Sequence, residues 1–569
     1  MNFKRPWLCC LVWLMLWSGV PAIGSPLVFT IDTSGPVHPI SPYIYGTNFG
    51  YNGRALERSG GNRWTAYNWE TNASHAGSDW FHQNDTYLVR NWTSEYEALG
   101  YYTTTPGAAV WRNVRNARLN HAAALVTVPI IGRVSRDASG GGDVGQTWNW
   151  LTARFIPSLA VKPAPLSLSP DLTDNAVYQD EFVHWLEHTF FPQGRDGHPG
   201  DPPIFYCLDN EPALWAYTHA RVHPSTDHYA QYLAGTRAYY DVAGAPVTYD
   251  ALVLSTIEMA ASIKDVTPQA MIFGPVLYGY NAYINLQSAP DATGTGFIDH
   301  YLERLALASH THGRRLLDIL DLHWYPEARG DNIRITSDQA TEGLVQARIQ
   351  APRSLWDPTY EESSWIRNYV GGPIRLIPWL KEKIAVHYPG TGLAITEYHY
   401  GGGGHISGGI AQADVLGIFG RENLFAACLW TQNPDNSFIY GGFDMYRNFD
   451  GQGASFGDLS VSAVSPDAEK ASVYASLDST NPNRMVIVAI NKTATPLQVS
   501  IRITQHRRMA SARMFRLAGT SPLPAELPPL QVAPDNTLAC SLQAMSVSTL
   551  ELSAAPQAHP PVWLLLDDV

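Results

Sequence analysis

Eight short runs with strand character, most of them nearly continuous apolar stretches, are spread along the chain at residues 44–48, 62–66, 124–130, 204–208, 270–276, 319–324, 393–397 and 424–430. Runs with little polar alternation fit strands buried on both faces, as in a parallel sheet covered by helices. Helical periodicity lies between them. Residues 180–190 place Phe182, Val183, Leu186 and Phe190 on one face, and residues 248–264 and 297–309 are similar. Eight strands alternating with helices predict an α/β fold, a TIM-like (β/α)8 barrel over residues 41–440. The helix between the first two strands is poorly marked, so closure of the barrel rests on order and number.

Beyond residue 441 the texture changes to short alternating segments bounded by Asn, Gly and Pro, which predict an additional antiparallel β-sandwich over residues 441–555. The apolar segment at 27–31, within residues 25–40, is expected to add a strand to that sandwich. Residues 520–534 are Pro-rich and read as an ordered loop or linker, and the tail 556–569 is left unassigned. At the other end, Lys4 and Arg5 precede an apolar run too short to span a bilayer and then a small-residue stretch. Residues 1–24 therefore read as a signal peptide, and the mature protein is expected outside the cell or in the periplasm, with no membrane attachment after processing.

With 45% hydrophobic and 16% charged residues, the chain is too apolar for a disordered protein. Its net charge of −13 and the lack of a basic stripe argue against a nucleic-acid partner. After loss of Cys9 and Cys10 with the signal, Cys207, Cys428 and Cys540 remain, without metal-ligand spacing. Cys207 and Cys428 sit in apolar runs and read as buried thiols, a disulfide between them being the alternative.

In a parallel barrel, function collects where strands end at the C-terminal face. The fourth run ends in Asp209-Asn210-Glu211-Pro212. The seventh ends in Thr396-Glu397-Tyr398, followed by four glycines from Gly401 to Gly404. A carboxyl at a partly desolvated barrel mouth holds its proton to higher pH, which suits a general acid. A second carboxylate facing it completes the pair that glycoside hydrolysis requires. Either glutamate alone reads equally well as a strand-end carboxylate in an ion pair; the two together, with aromatic surroundings, favour Glu211 and Glu397 as a catalytic pair. Asn62 and Arg63 are candidates to bind substrate or Glu397. Tyr398 beside Glu397, with His323, Tyr325 and Trp430 at other strand ends and Trp80, Trp356 and Trp365 in loops, are candidate sugar-binding side chains, with core packing as the plain alternative. Glu70, Asp79 and Asp143 lie in Gly- and Asn-containing loops and offer the hard oxygen ligands that calcium prefers.

Residues 61–72 (GNRWTAYNWETN), 76–80 (AGSDW), the Asn-Glu-Pro turn at 210–212 and the long segment 393–421 resemble glycoside hydrolase family 44, and the likeness extends over residues 27–555. That resemblance implies a retaining endo-β-1,4-glucanase, often active on xyloglucan, built as a TIM-like barrel with a β-sandwich. It implies Glu211 as acid/base, Glu397 as nucleophile, Asn210 as a ligand of the sugar 2-hydroxyl, and a structural calcium. No cofactor is expected for catalysis, the partner is a β-1,4-linked polysaccharide, and a monomer is expected. The competing readings are a β-mannanase or xylanase on the same barrel, a non-catalytic carbohydrate-binding protein, or a structural wall protein.

Overall fold

The computed structural model describes residues 26–555 except 49, 293, 432, 433 and 506; the signal-peptide and tail expectations lie outside the described residues. Eight parallel strands close into a barrel. They are β1 (Gly46–Thr47), β2 (Leu56–Ser59), β3 (Ala123–Val128), β4 (Ile204–Leu208), β5 (Ile272–Leu277), β6 (Ile319–Trp324), β7 (Gly392–Tyr398) and β8 (Ala426–Leu429). Each pairs with its neighbour in chain order, and β8 closes on β1 through Cys428 and Gly46.

The second strand corrects the sequence reading. It is Leu56–Ser59, and residues 62–64, expected to be strand, form a single 3-10 turn. A four-residue strand with the sequence LERS has no apolar run to mark it.

Side chains inside the barrel follow the two-residue period of a strand. On β6, Ile319 joins an apolar plug at the barrel floor, Asp321 and His323 rise above it, and Leu320, Leu322 and Trp324 pack outward against the helices. On β4, Phe205 and Cys207 point in while Ile204, Tyr206 and Leu208 point out. The interior thus changes from apolar at the floor to polar at the mouth. Cys207, Cys428 and Cys540 are all free thiols, so the alternative of a Cys207–Cys428 disulfide is not realised.

The second layer is a largely antiparallel ten-stranded sheet system. The N-terminal strand Leu27–Asp32 lies inside it, parallel to Leu497–Thr504 and antiparallel to Leu459–Val464. Residues 520–534 are not a linker: Ser521–Gln531 forms a strand at the sheet edge, where prolines cost no ladder partner on the open side. The helix Ser437–Arg447 runs past residue 441, so the all-β portion begins beyond Arg447.

A buried ion pair couples the layers. Asp414, in the helix Ile406–Arg421 that follows β7, pairs with Lys492 of the sandwich at 2.6 Å, both side chains fully buried, and accepts a hydrogen bond from Tyr474 at 2.7 Å. Removing one member leaves the other charge buried and unpaired, which costs about 3–5 kcal/mol. Lys492→Met is expected to lower the unfolding free energy by about that amount in urea titrations; a loss below about 1 kcal/mol would show that the pair does not brace the layers.

Candidate active site

The chain leaves β4 through an unusual turn. Asp209 and Glu211 both adopt left-handed backbone conformations, with φ of 68° and 50°. Asp209 is fully buried; its carboxylate accepts from the backbone N–H groups of Ile130 (2.7 Å), Ile131 (3.1 Å) and Asn210 (2.8 Å) and from the Trp215 indole (3.3 Å). The Glu211 N–H donates to Val276 O at 3.0 Å. These bonds over-determine the turn, so strained dihedrals persist where the side chains matter.

Glu397 reaches the mouth by a different device. Strict alternation along β7 would turn Ala394, Thr396 and Tyr398 to one face and Glu397 to the other. The register shifts between Leu322 and His323 against β6, and between Ile395 and Tyr398 against β8. Such an irregularity re-aims side chains. Thr396 donates to Asp321 inside the barrel, Glu397 also turns inward, and Tyr398 turns out, where it is fully buried against Phe419 and accepts from Gln412 at 2.8 Å. Tyr398, expected in the cleft, is therefore a packing residue.

Three side chains gather around Glu397. Arg58 on β2 donates Nη1 to Glu397 Oε1 at 2.6 Å, and Tyr325 donates its hydroxyl to Oε2 at 2.8 Å. His323 Nδ1 lies 2.8 Å from Glu211 Oε1 and 3.3 Å from Glu397 Oε2, and oxygens of the two carboxyls lie within 4.8 Å of one another. Arg58 also donates to Asn48 Oδ1 (3.2 Å) and Asn210 Oδ1 (2.8 Å). Gly61 N–H donates to the same Asn210 oxygen at 3.2 Å, so these bonds use the carbonyl oxygen and not the NH2 of the amide. Arg58 was missed because the expected strand began at residue 62; its one signal, a place two residues beyond Leu56 on a strand, is invisible to a search for apolar runs.

The environments of the two carboxyls differ. Burial pushes Glu211 up to about 7, with Asp79 adding to the rise and Arg58 opposing it. Burial pushes His323 down to about 3 despite Glu397 nearby, so it is a neutral imidazole between the glutamates at neutral pH. Burial would strip Arg58 of its charge, but Glu397 beside it more than offsets this. Deeper in the barrel, burial raises Asp321 to about 7.

Two adjoining cavities meet at Glu211. One, of about 690 Å³, contains Glu211, Glu397, Asn62, Arg63, Trp80, Asn210, Tyr325 and Trp430. The other, of about 380 Å³, contains Glu211, Tyr325, Tyr280, Arg334 and Trp365 but not Glu397. Trp80 is 53% exposed and Trp365 40%, leaving ring surface open on each side. The Trp430 ring lies over Gly61, at φ 97°, where an added Cβ would stand 2.8 Å from it.

Other expectations are corrected. Neither Asn62 nor Arg63 contacts Glu397: Asn62 donates to both Asp79 oxygens at 3.0 Å, and Arg63 pairs with Asp85 at 2.6 Å. Trp356 lies away from the cleft, in a cavity between barrel and sandwich, with the Arg421 guanidinium 3.9 Å over its ring. The calcium residues do not converge. Asp79 is held by Asn62, and Asp143 is bonded by Arg221 and caps the turn at 144–146. Glu70 stands apart, raised to about 8 by burial and then by Asp174 and Glu181. Among the described residues, the one group of His, Cys, Asp and Glu close enough to share an ion is Glu211, His323 and Glu397.

Facing carboxyls at the mouth of a TIM-type barrel, with aromatic rings along the cleft, define a barrel glycosidase. The family model "Glycoside hydrolase family 44" matches residues 73–328. The chain is 39% identical over 515 residues to Endoglucanase A of Paenibacillus lautus, covering 88% of this chain and 68% of that protein. A Paenibacillus polymyxa family 44 xyloglucanase, solved with xyloglucan, superposes with a TM-score of 0.84 at 36% identity, covering 93% of this chain and all of that one (100%). A family 44 endoglucanase from Clostridium thermocellum superposes at 0.83 with 38% identity, again covering 93% and 100%. The chain belongs to glycoside hydrolase family 44.

Arg58 offers a direct test of the polar layer. Arg58→Met withdraws donors from Glu397 and Asn210 together. Expected is a fall in kcat of about 100- to 1000-fold with a much smaller change in KM, in a variant whose circular dichroism matches wild type. A fall confined to KM would show that Arg58 serves binding alone.

Proposed function

We propose that the protein is a secreted endo-acting β-1,4-glucanase that takes xyloglucan as well as plain glucan and cleaves with retention. The observation that carries the chemistry is the closeness of the two carboxyls, with oxygens within 4.8 Å. Retaining enzymes hold them about 5–5.5 Å apart, whereas inverting enzymes need about 6.5–9.5 Å to admit a water.

The roles follow from the surroundings. Glu211, raised to about 7 by burial, keeps its proton near neutral pH and is the general acid. Glu397 accepts charged and neutral hydrogen bonds on both oxygens, the setting of a carboxylate, and is the nucleophile. In the first step Glu211 protonates the glycosidic oxygen, the C–O bond to the leaving sugar breaks, and Glu397 bonds to the anomeric carbon. In the second, Glu211 takes a proton from water as its oxygen attacks that carbon and frees Glu397. Esterification removes the negative charge of Glu397, which favours loss of the Glu211 proton and suits it to act as base. The Asn210 NH2 bonds the 2-hydroxyl, and His323 holds the glutamates in register.

The attacked sugar must lie over Glu397, so it occupies the larger cavity. The leaving sugars lie beyond Glu211 in the smaller one. A cleft continuing on both sides admits a chain interior, and Trp430 and Trp80 on one side and Trp365 on the other offer faces for pyranose rings. The endoglucanase and xyloglucanase activities in the names of the relatives support the substrate class. Among the described residues no helix is long and apolar enough to cross a membrane. Both glutamates come from one chain, so a monomer suffices. A structural calcium would be served by Glu70, whose Oε1 is buried without a hydrogen-bond partner, and it takes no part in these steps.

Glu397→Gly is expected to be inactive and to regain cleavage of an activated aryl glycoside with azide, giving a glycosyl azide of inverted configuration. Absence of rescue in a folded variant, with Glu211→Ala instead yielding the glycosyl azide of inverted configuration, would exchange the two roles; a retained azide product from Glu211→Ala is what an acid/base variant gives. The kcat/KM profile of the wild type is expected to fall on the alkaline side through about pH 7, where Glu211 loses its proton. A Glu211→Gln variant that kept this limb would remove Glu211 as its source.

A further inference from the structure

The segment leaving β6 has backbone carbonyls with no strand to take them. The ladder with β7 ends at Trp324, and Pro326 follows Tyr325. One side chain serves both carbonyls. Arg334, on the short strand Ile333–Arg334, donates Nη2 to Tyr325 O at 2.6 Å and Nε to Pro326 O at 2.8 Å. The same Nη2 stands 2.8 Å from Glu327. The hairpin carrying Arg334 is tied back to this segment by Ile335 N–H donating to Ala328 O at 3.0 Å.

This clamp lies one residue from the chemistry. The Tyr325 hydroxyl donates to Glu397 Oε2, so the place of the ring, and with it one of the bonds that aim Glu397, depends on the backbone that Arg334 holds. A planar guanidinium fixes two donor directions at once, which an ammonium does not. Arg334 also lines the smaller cavity beside Glu211 and Trp365. Its clamp uses Nε and Nη2, so Nη1 takes no part in it.

We propose that Arg334 is a positioning residue that couples occupancy of the leaving-group cavity to alignment of Glu397. It grips the Tyr325 and Pro326 carbonyls and thereby holds Tyr325 on the nucleophile, while Nη1 donates to a hydroxyl oxygen of the leaving sugar. Sugar bound there restrains the guanidinium, the clamp and the tyrosine together, so binding energy remote from the broken bond is spent on orientation. The proposal rests on Glu397 being the nucleophile and on the polarity of the cleft given above.

The test uses the full-length enzyme, Arg334→Met, Arg334→Lys, Tyr325→Phe and the double variant Arg334→Met/Tyr325→Phe. Each is assayed on a β-1,4-glucan and on a nitrophenyl cello-oligosaccharide, whose leaving group places no sugar in the smaller cavity and needs little acid assistance. Arg334→Met is expected to lower kcat on the aryl substrate about 10- to 100-fold with KM nearly unchanged, and to lower it further on the glucan. In the Tyr325→Phe background the same change should cost less than about twofold on the aryl substrate, because the path through the tyrosine is already broken. Arg334→Lys should recover part of the loss on both.

Losses that multiply independently in the double variant, or an effect on the glucan alone or on KM alone, would overturn the proposal. Thermal unfolding checks that the variants fold; should Arg334→Met not fold, Arg334→Lys, which keeps the charge but not the fork, carries the same cycle. A wild type that releases no sugar, or a Glu397→Gly variant beyond azide rescue, would strike the proposed function. Independent losses in an active, rescuable enzyme would strike only the role of Arg334.

Discussion

A buried guanidinium under the cleft holds the catalytic layer together. Arg58 is 2% exposed, and its fork reaches Glu397 from β7, Asn210 from the turn after β4 and Asn48 from the loop after β1. An isolated charge there would be prohibitive, and an isolated Glu397 carboxylate nearly so; each makes the other tolerable. The barrel brings them together because inward positions on β2 and β7 meet across its interior. Asn48 secures the arrangement from outside the fork, donating to Thr396 O at 3.0 Å and so holding the residue before the nucleophile. The polar layer is therefore one network, and Glu211 stands at its edge, where burial acts on it with less compensation from Arg58.

That asymmetry separates two chemically identical side chains. Glu397 is met by a cation and a phenol, with the neutral His323 at 3.3 Å; Glu211 is met by the same histidine, closer, at 2.8 Å. Below them the floor of Leu56, Phe205, Phe273, Ile319 and their neighbours excludes water from beneath the site. In such surroundings a hydrogen bond or charge a few ångströms away has large leverage, and burial holds the proton on Glu211 to higher pH although Arg58 opposes it.

How much of this could be read from the sequence depends on what surrounds each strand. Strands β3 to β7 are buried on both faces and appear as apolar runs, so their order and the placement of Glu211 and Glu397 at strand ends were legible. Strand β1 is only two residues long but lies inside the run at 44–48; β2, four residues of mixed polarity, carries the polar group on which the site depends, so hydropathy passed over it. Tyr398 was misplaced because a register shift is a property of two neighbouring strands and leaves no mark on one. Trp356 was misplaced because an exposed-looking tryptophan is the same in sequence whether a sugar or Arg421 covers it. The edge strand at 521–531 was hidden by its prolines, which an interior strand would reject and an edge tolerates.

The sandwich belongs to the same mechanical argument. The helix Ile406–Arg421 starts just after the glycines that follow Glu397, with His405 accepting from Ser407 N–H at its start, and residues 406–420 are all buried. A barrel helix ordinarily shows one face to water; this one is covered by the barrel within and the sandwich without. Gly417 lets the sheet come close, since a Cβ there would stand 2.2 Å from the Tyr474 ring, and the Asp414–Lys492 pair and Tyr474 hydroxyl fix the contact. The next helix is bonded to the sheet as well, through Thr549 donating to Met445 O at 2.7 Å. The sandwich thus braces the two helices that follow β7 and β8. Its place in the molecule is that of a buttress behind the nucleophile, which explains why a second domain carrying no catalytic side chain is built into the fold through a strand from each end of the chain.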